Sequence, residues 1–203
     1  MTRRIGFHLR GEESQKGETP HTFVIVSRGG SGTYQLVIND LPHGARAVRC
    51  FLSPLDALIE ASCLANSGRD YEVVTASAID RSAICDDRGQ RLFACFHQAW
   101  IGRQGRILLR TNGLPVADCR LIRRPPPGEL LRFELDADTL EALDEVRQLA
   151  GLFAWLETVQ DLARWTNARL QGAVQRALRT MPTVERPDTG SEQFVMFDPE
   201  LGQ

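Results

Sequence analysis

Two side chains that could do chemistry together are Cys95 and His97, which stand two residues apart in an apolar stretch of the sequence. In a β-strand, residues two apart project from the same face, so this spacing places a thiol beside an imidazole. Such a pair can act as a nucleophile with its base, or supply two ligands to a metal ion. Cys85, Cys119 and Asp118 would add further groups if the fold brings them near.

The rest of the sequence argues against catalysis or metal binding by this pair. It contains no Cys-x-x-Cys, no His-x-x-x-His and no Gly-x-Ser-x-Gly spacing, which typically form metal sites or nucleophile turns. Free cysteine is among the most buried residue types and packs as a small apolar group. We therefore predict a structural role for Cys95 and His97, with a thiol-dependent enzyme as an alternative, and we expect neither a metal ion nor a cofactor.

Arginine dominates the basic residues and is concentrated in two stretches. Of the 24 Lys and Arg residues only Lys16 is lysine, yet the formal charge of the chain is −2, which excludes a histone-like protein. Residues 100–132 carry seven arginines against two acids, and residues 161–181 carry four against one. If these stretches adjoin, they form a positive patch suited to nucleic acid. Its candidate contacts are Arg103, Arg106, Arg110, Arg120, Arg123, Arg124, Arg169 and Arg176.

Apolar runs separated by short turns predict a mostly antiparallel sheet of about 6–8 strands, because short connections favour antiparallel pairing. The run over 92–101 is apolar on both faces, so we place it centrally in the sheet. A further strand is predicted over 131–135, where Leu131, Phe133 and Leu135 alternate with polar residues. The core of this sheet would carry Cys95 and His97.

Two helical segments accompany the predicted sheet, so the fold class is α+β. Ser53, Pro54 and Asp56 are typical of a helix start, and the helix covers about 53–67. Residues 138–181 lack proline and would form a helix of about 66 Å if unbroken. A compact chain of this length has a radius of gyration of only about 17 Å. The long helix therefore either breaks, at Gly151 or near 167–172, or packs on a partner.

We divide the chain into three parts. A polar N-terminal segment, 1–20, offers an edge strand; residues 21–181 form a single α+β domain; and residues 182–203 form an acidic, flexible tail. The tail carries an apolar motif over 194–197, which suits docking in a partner's groove or along a sheet edge. The alternative is that the motif folds back on its own domain, because exposed apolar clusters are uncommon in monomers.

These observations favour a non-enzymatic bacterial protein of accessory, regulatory, adaptor or immunity type that acts through protein–protein contacts. Another protein, or a second copy of the chain, would bind the C-terminal helix and the tail. A nucleic-acid-binding protein is the second hypothesis, and an enzyme built on Cys95 and His97 is the third. The partner-binding candidates are Phe194, Val195, Met196, Phe197, Leu170 and Val174.

The expected location is the cytoplasm. The sequence has five cysteines, an odd number, and they do not frame small loops as the cysteines of a disulfide-bonded secreted protein do. We therefore expect reduced thiols. The arginines near the start of the sequence are not followed by the apolar stretch of a secretory signal. No part of the sequence approaches the roughly 20 consecutive apolar residues of a membrane-spanning helix, so we expect no membrane partner.

Overall fold

The computed structural model describes residues 6–8, 21–28, 34–40, 46–65, 69–79, 85, 92–122, 135, 137–149, 151, 155–180, 184–185, 193–195 and 197–199. Over these residues the chain forms a mixed β-sheet with four helices, which confirms the α+β prediction. The strands are β1 Gly6–His8, β2 Phe23–Arg28, β3 Tyr34–Leu36, β4 Ile38–Asp40, β5 Arg46–Phe51, β6 Tyr71–Thr75, β7 Phe93–Arg103, β8 Arg106–Leu109, β9 Ala117–Ile122, β10 Val184–Glu185 and β11 Gln193–Val195. The helices are α1 Pro54–Ala65, α2 Ala137–Leu149, α3 Trp155–Leu162 and α4 Asn167–Thr180.

The sheet has more strands than the 6–8 that the sequence predicts. The difference lies in short elements: β1 lies in the N-terminal segment predicted to offer an edge strand, β10 and β11 lie in the tail, and the run over 34–38 divides into β3 and β4. The predicted strand over 131–135 lies outside the described residues, apart from Leu135, which is buried.

The strand order is β1-β6-β2-β5-β7-β8-β10, with β3 beside β2, β4 beside β5, and β9 and β11 beside β7. Most of the described pairs are antiparallel, as predicted. The parallel pairs are β1–β6, β5–β7 and β8–β10. Strand β7 pairs with β5, β8, β9 and β11, which confirms its central position.

A β-bulge interrupts β7 between His97 and Ala99. The extra residue reverses the alternation of side chains, so Trp100 faces the same side of the sheet as His97. The two rings lie 4.2 Å apart between centroids. A strictly alternating strand would have sent them to opposite faces.

The two faces of the sheet carry separate apolar clusters. Phe23, Phe51 and Trp100 belong to the first cluster, which α1 and α4 cover. Val24, Cys50 and Phe96 belong to the second, to which α2 and the start of α3 contribute. Neighbouring residues of β2 and β5 alternate between the clusters, as expected for strands with helices on both sides.

Helix α1 begins as its sequence predicts. The Ser53 hydroxyl accepts a hydrogen bond from the Asp56 backbone N–H at 3.2 Å, which satisfies one of the free donors of the first turn. Pro54 occupies the first helical position, where its missing N–H costs nothing.

The segment over 138–181 is broken into α2, α3 and α4. Gly151 lies beyond the end of α2 with a φ of 82°, a left-handed conformation that glycine adopts readily. A turn over 163–166 separates α3 from α4, so the second break lies before the predicted 167–172, which forms the start of α4. In this turn the Ala163 N–H still bonds the Val159 carbonyl and the Trp165 N–H bonds the Leu162 carbonyl. The breaks let the three helices fold back on the sheet. Among the described helices, none is long and apolar enough to cross a membrane.

Candidate functional site

Five ionisable side chains are buried together where α1 meets the sheet. This charge cluster consists of Arg49, Asp56, Glu60, His97 and Arg147, each at most 6% exposed. Burying a charged group is costly unless an opposite charge or a hydrogen bond compensates it, so such clusters need a structural or functional reason.

Four different elements bring the charge cluster together. Asp56 and Glu60 are four residues apart on α1, so they share one side of that helix. Arg49 on β5 lies directly beside Cys95 on β7, which places both on the sheet face that also carries His97. Arg147 comes from α2, in the distant C-terminal half of the chain.

Arg49 and Glu60 form the most buried ion pair of the cluster, with Nη1 and Oε1 2.5 Å apart. Burial raises the pKa of Glu60, and the guanidinium of Arg49 opposes that rise. Burial also acts to lower the pKa of Arg49, but Glu60 and the nearby Cys119 outweigh it and leave this pKa raised. The pair therefore holds α1 against β5 through one charge-assisted hydrogen bond.

Asp56 and Arg147 form a looser contact, with Oδ2 and Nη2 3.6 Å apart. Burial raises the pKa of Asp56, while Arg147 and Ser53 favour the ionised carboxylate. Burial lowers the pKa of Arg147, and Asp56 opposes that change. The Arg147 guanidinium also lies over the Trp155 ring at 4.6 Å from its centroid, a cation–π contact.

His97 is enclosed and electrically neutral. Its ring lies between Phe51 and Trp100, and its Nδ1 is 3.8 Å from Asp56 Oδ2, longer than a hydrogen bond. Nε2 is buried without a hydrogen-bond partner. Burial and the positive charges of Arg147 and Arg49 hold the pKa of His97 well below its ordinary value. A neutral imidazole of this kind cannot stabilise a thiolate as an imidazolium would.

Cys95 and His97 share one face of β7, as their spacing predicts, but Cys119 lies diagonally across from Cys95 on that face and is the neighbour that most affects the pKa of its thiol. We call Cys95 and Cys119 the dithiol pair. The sequence suggested the His97 imidazole as the partner of the Cys95 thiol, whereas the structure places a second thiol beside it. Asp118 precedes Cys119 on β9 and so faces the opposite side of the sheet. None of the described contacts of the pair involves Cys85.

A cavity of about 90 Å³ adjoins the charge cluster. Asp56 and Arg147 form its polar wall, and the residues after β11 form another part of its lining. The lining residues are Ser53, Leu55, Asp56, Arg147, Trp155, Thr158, Leu162, Phe197, Asp198 and Pro199. A space of this size holds a few water molecules and is too small for most metabolites.

The C-terminal part of the chain completes one edge of β7. Ala94 pairs with β5 on one side and with β9 on the other, so β5 and β9 lie on opposite edges of β7. Trp100 pairs with β9 and with β11, so β11 lies on the same edge as β5. We call the part of this edge over Trp100–Gly102 the acceptor edge, and β11 with residues 197–199 the docking segment.

The acceptor edge is shaped to receive the docking segment. Gly102 lies opposite Gln193, and a Cβ at this position would come within 2.1 Å of Val195 Cγ2. Val195 and Phe197 both pack against the first apolar cluster. Phe194 points the other way and is 49% exposed.

The predicted partner-binding residues separate into buried and accessible groups. Phe197 is 5% exposed, and Leu170 and Val174 of α4 are fully buried in the same apolar cluster as α1. Val195 is half-buried, and among the described members of this set only Phe194 is exposed. Met196 lies outside the described residues.

The predicted nucleic-acid contacts are described only in part. Arg106 and Arg110 are exposed on the β7–β8 side, and Arg103 is half-buried. Arg169 and Arg176 are exposed on α4, and the Arg169 guanidinium lies 3.5 Å from the centroid of the Trp165 ring. The side chain of Arg120 and the whole of Arg123 and Arg124 lie outside the described residues, so the positive patch stays a prediction.

Sequence reasoning missed most of the charge cluster. The sequence pattern places Asp56 only at the helix start and does not single out Arg49, Glu60 or Arg147. Two local signals were present: Arg49 interrupts an apolar strand, and Glu60 stands four residues after Asp56 beside apolar positions of α1. For Arg147 no local signal exists, because only the folding of α2 brings it to Asp56.

Comparison with known proteins finds no matching family model, no similar curated protein and no similar solved structure. The charge cluster sets two guanidinium groups against two carboxyl groups around a neutral imidazole, and it is suited to fixing helices in place. The acceptor edge is suited to binding an extended strand.

Proposed function

We propose that this protein is a non-enzymatic regulatory or adaptor protein of the bacterial cytoplasm, and that it binds an extended segment of a partner protein at the acceptor edge. The observation that carries this proposal is the docking segment itself. It adds a strand to β7 and inserts Phe197 into the core, as a strand-adding ligand would.

The acceptor edge exists because β5 ends early. Strand β5 pairs with β7 only as far as Phe96 and then turns into α1, so the N–H and C=O groups of Trp100–Gly102 need another strand. Main-chain hydrogen bonds can be made by any extended sequence, whereas the space for side chains selects the ligand. The partner segment would carry two apolar residues two positions apart, as Val195 and Phe197 are.

The docking segment is held weakly enough to be exchanged. Its described strand covers only Gln193–Val195, and the most buried of its described apolar side chains is Phe197. Burial of one phenylalanine side chain contributes about 2–3 kcal/mol. A partner strand that makes the same contacts can therefore displace it, and Phe194 offers an accessible first contact.

The buried chemical groups support a non-catalytic function. Cys95 is 5% exposed, and His97 is enclosed by Phe51 and Trp100. A catalytic thiol needs contact with its substrate and a base within hydrogen-bond reach. Leu170 and Val174 are covered by their own domain, so we assign partner binding to the acceptor edge and Phe194 instead.

The test uses the chain's own docking segment as a probe for the partner strand. A fluorescent peptide with the sequence of residues 191–199 is titrated into the full-length protein and into two matched variants, Phe197→Ala and Phe194→Ala. Loss of the Phe197 anchor should release the acceptor edge, so this variant should bind the peptide about tenfold more tightly than the wild type does. Phe194→Ala removes the same side chain from an exposed position and should behave as the wild type.

A control peptide that carries aspartate at positions 195 and 197 should not bind any of the three proteins. Equal binding of the 191–199 peptide by the Phe197→Ala and Phe194→Ala variants would contradict the proposal, provided that both variants keep the circular dichroism spectrum of the wild type. If Phe197→Ala does not fold, Val195→Ala serves as the milder variant.

A further inference from the structure

The two thiols of the dithiol pair are held beside each other by the register of β7 and β9. His97 lies directly opposite Cys119, and Cys95 lies two residues from His97 on the same face. Cys95 and Cys119 are therefore diagonal neighbours on one side of the sheet, with their thiols facing the same way. Among the described cysteines, this is the pair whose thiols are placed to react with each other.

The surroundings make Cys95 the more acidic thiol of the pair. The neighbouring thiol of Cys119 and the positive charge of Arg49 lower the pKa of Cys95 against the opposing effect of burial. The neighbouring thiol of Cys95 and burial raise the pKa of Cys119. By contrast, burial raises the pKa of Cys63 to about 11. A lowered thiol pKa and a second thiol beside it are two features typical of redox-sensing cysteines.

We propose that Cys95 and Cys119 form a redox-sensitive site that closes to a disulfide when the protein meets hydrogen peroxide. Cys95 is the attacking thiol and Cys119 is the resolving thiol. Arg49 is a positioning residue, because it acts by stabilising the charge on Cys95.

The reaction has two balanced steps. The Cys95 thiolate attacks one oxygen of hydrogen peroxide, the O–O bond breaks, and a proton completes the release of water, which leaves a sulfenic acid on Cys95. Cys119 Sγ then attacks Cys95 Sγ, the S–OH bond breaks, and the thiol proton of Cys119 leaves with the hydroxyl group as a second molecule of water. Peroxide is reduced by two electrons and the two thiols are oxidised by two.

The location of the pair suits a reversible bond. Diagonal neighbours in an antiparallel sheet are about 7–8 Å apart, which is slightly beyond the usual Cα–Cα range of about 4.4–6.8 Å for disulfides. Closure therefore requires a small shift of β9 against β7 near the bulge, and a strained disulfide is readily reduced again. Cys119 is half-buried and Cys95 is buried, so the proposal requires an oxidant as small as hydrogen peroxide.

The experiment maps disulfides in the full-length protein. Reduced protein is treated with hydrogen peroxide, its free thiols are alkylated under denaturing conditions, and tryptic peptides are analysed by mass spectrometry. Cleavage after arginine gives peptides 92–103 and 111–120, each with one cysteine of the pair. We expect these two peptides to become linked, two of the five thiols to disappear, and dithiothreitol to restore both.

Two variants separate this site from unspecific oxidation. In Cys119→Ser, peroxide should leave a sulfenic acid on Cys95 that dimedone traps, and no link should form. In the control variant Cys63→Ser, the link should form as in the wild type. The wild-type map decides the proposal even if Cys119→Ser does not fold: five free thiols after oxidation, or a link between any other cysteines, would overturn it.

Discussion

Arg147 on α2 and Asp56 on α1 approach within 3.6 Å and join helices that cover different apolar clusters. Leu143, one turn before Arg147, packs in the second cluster, whereas the residues around Asp56 pack in the first. The contact lies next to the cavity that the docking segment closes. The charge cluster thus connects both helical layers with the place where we propose that a partner strand binds.

The Arg49–Glu60 pair should show strong coupling in a double-mutant cycle. Arg49→Met leaves the carboxylate of Glu60 buried without its cation, which should lower the free energy of unfolding by about 3–5 kcal/mol. Adding Glu60→Leu removes the stranded charge, so the double variant should be more stable than Arg49→Met alone. Urea unfolding with a constant m-value measures both. Additive losses would show that the two side chains do not act as a pair.

Stability should depend on pH through His97. The pKa of His97 is lowered in the folded state, so below pH 6.5, its ordinary pKa, the unfolded chain binds a proton that the folded chain does not bind. The contribution of His97 to the free energy of unfolding is therefore present above pH 6.5 and is lost as the pH falls. The slope from this residue approaches about 1.4 kcal/mol per pH unit.

The variant His97→Gln isolates this contribution. The free energy of unfolding is measured between pH 7.5 and pH 5.5 for both proteins, and the difference between them should shrink as the pH falls. Asp56 and Glu60 act in the opposite sense at lower pH, since their pKa values are raised in the folded state, and comparison of the two proteins cancels most of that effect. Parallel pH profiles would mean that His97 is not held neutral by the fold.

Replacing Ser53 at the start of α1 should destabilise the protein, whereas replacing Ser62 later in the helix should change its stability little. Ser53→Ala removes the hydroxyl that accepts the Asp56 N–H, so we expect a loss of about 1 kcal/mol. Ser62 donates to the Leu58 carbonyl of the same helix, a bond that adds little because that carbonyl is already used in the helix. Thermal unfolding of the two variants compares them, and a larger loss for Ser62→Ala would contradict the assignment.

Local sequence signals predicted the elements that depend on local physics. The cap at Ser53 set the start of α1, the doubly apolar run over 92–101 indicated the central strand, and Gly151 marked a helix end. Each of these rests on backbone geometry or burial within a few residues. The α+β class followed from them.

The parts that could not be predicted depend on contacts between distant residues. The bulge in β7 brings Trp100 to the face of His97, and β9 places Cys119 beside Cys95 only through its register. The partner of Asp56 comes from 91 positions further along the chain, at Arg147. No pattern within a strand or helix specifies such pairs, so the sequence yielded the candidate thiol and histidine but not what each of them touches.

Two glycines should respond oppositely to the same substitution. In Gly102→Ala the new Cβ would meet Val195 Cγ2 at 2.1 Å and the Arg106 carbonyl oxygen at 2.7 Å, so either the docking segment or the β7–β8 turn must move. We expect a loss of about 1–3 kcal/mol and faster hydrogen exchange over residues 193–195. In Gly172→Ala the new Cβ meets only the end of the Arg176 side chain at 3.7 Å, and the helix should gain about 0.5–1 kcal/mol.

A third variant identifies which neighbour of Gly102 matters. Val195→Ala removes the methyl group closest to the new Cβ, so the double variant Gly102→Ala, Val195→Ala should lose less than the sum of the two single variants. Such coupling is expected only if the docking segment lies on β7 in solution as it does in the structure. Strictly additive losses of stability, together with unchanged hydrogen exchange over 193–195 in Gly102→Ala, would mean that this segment does not occupy the acceptor edge. The proposed exchange with a partner strand would then lose its basis.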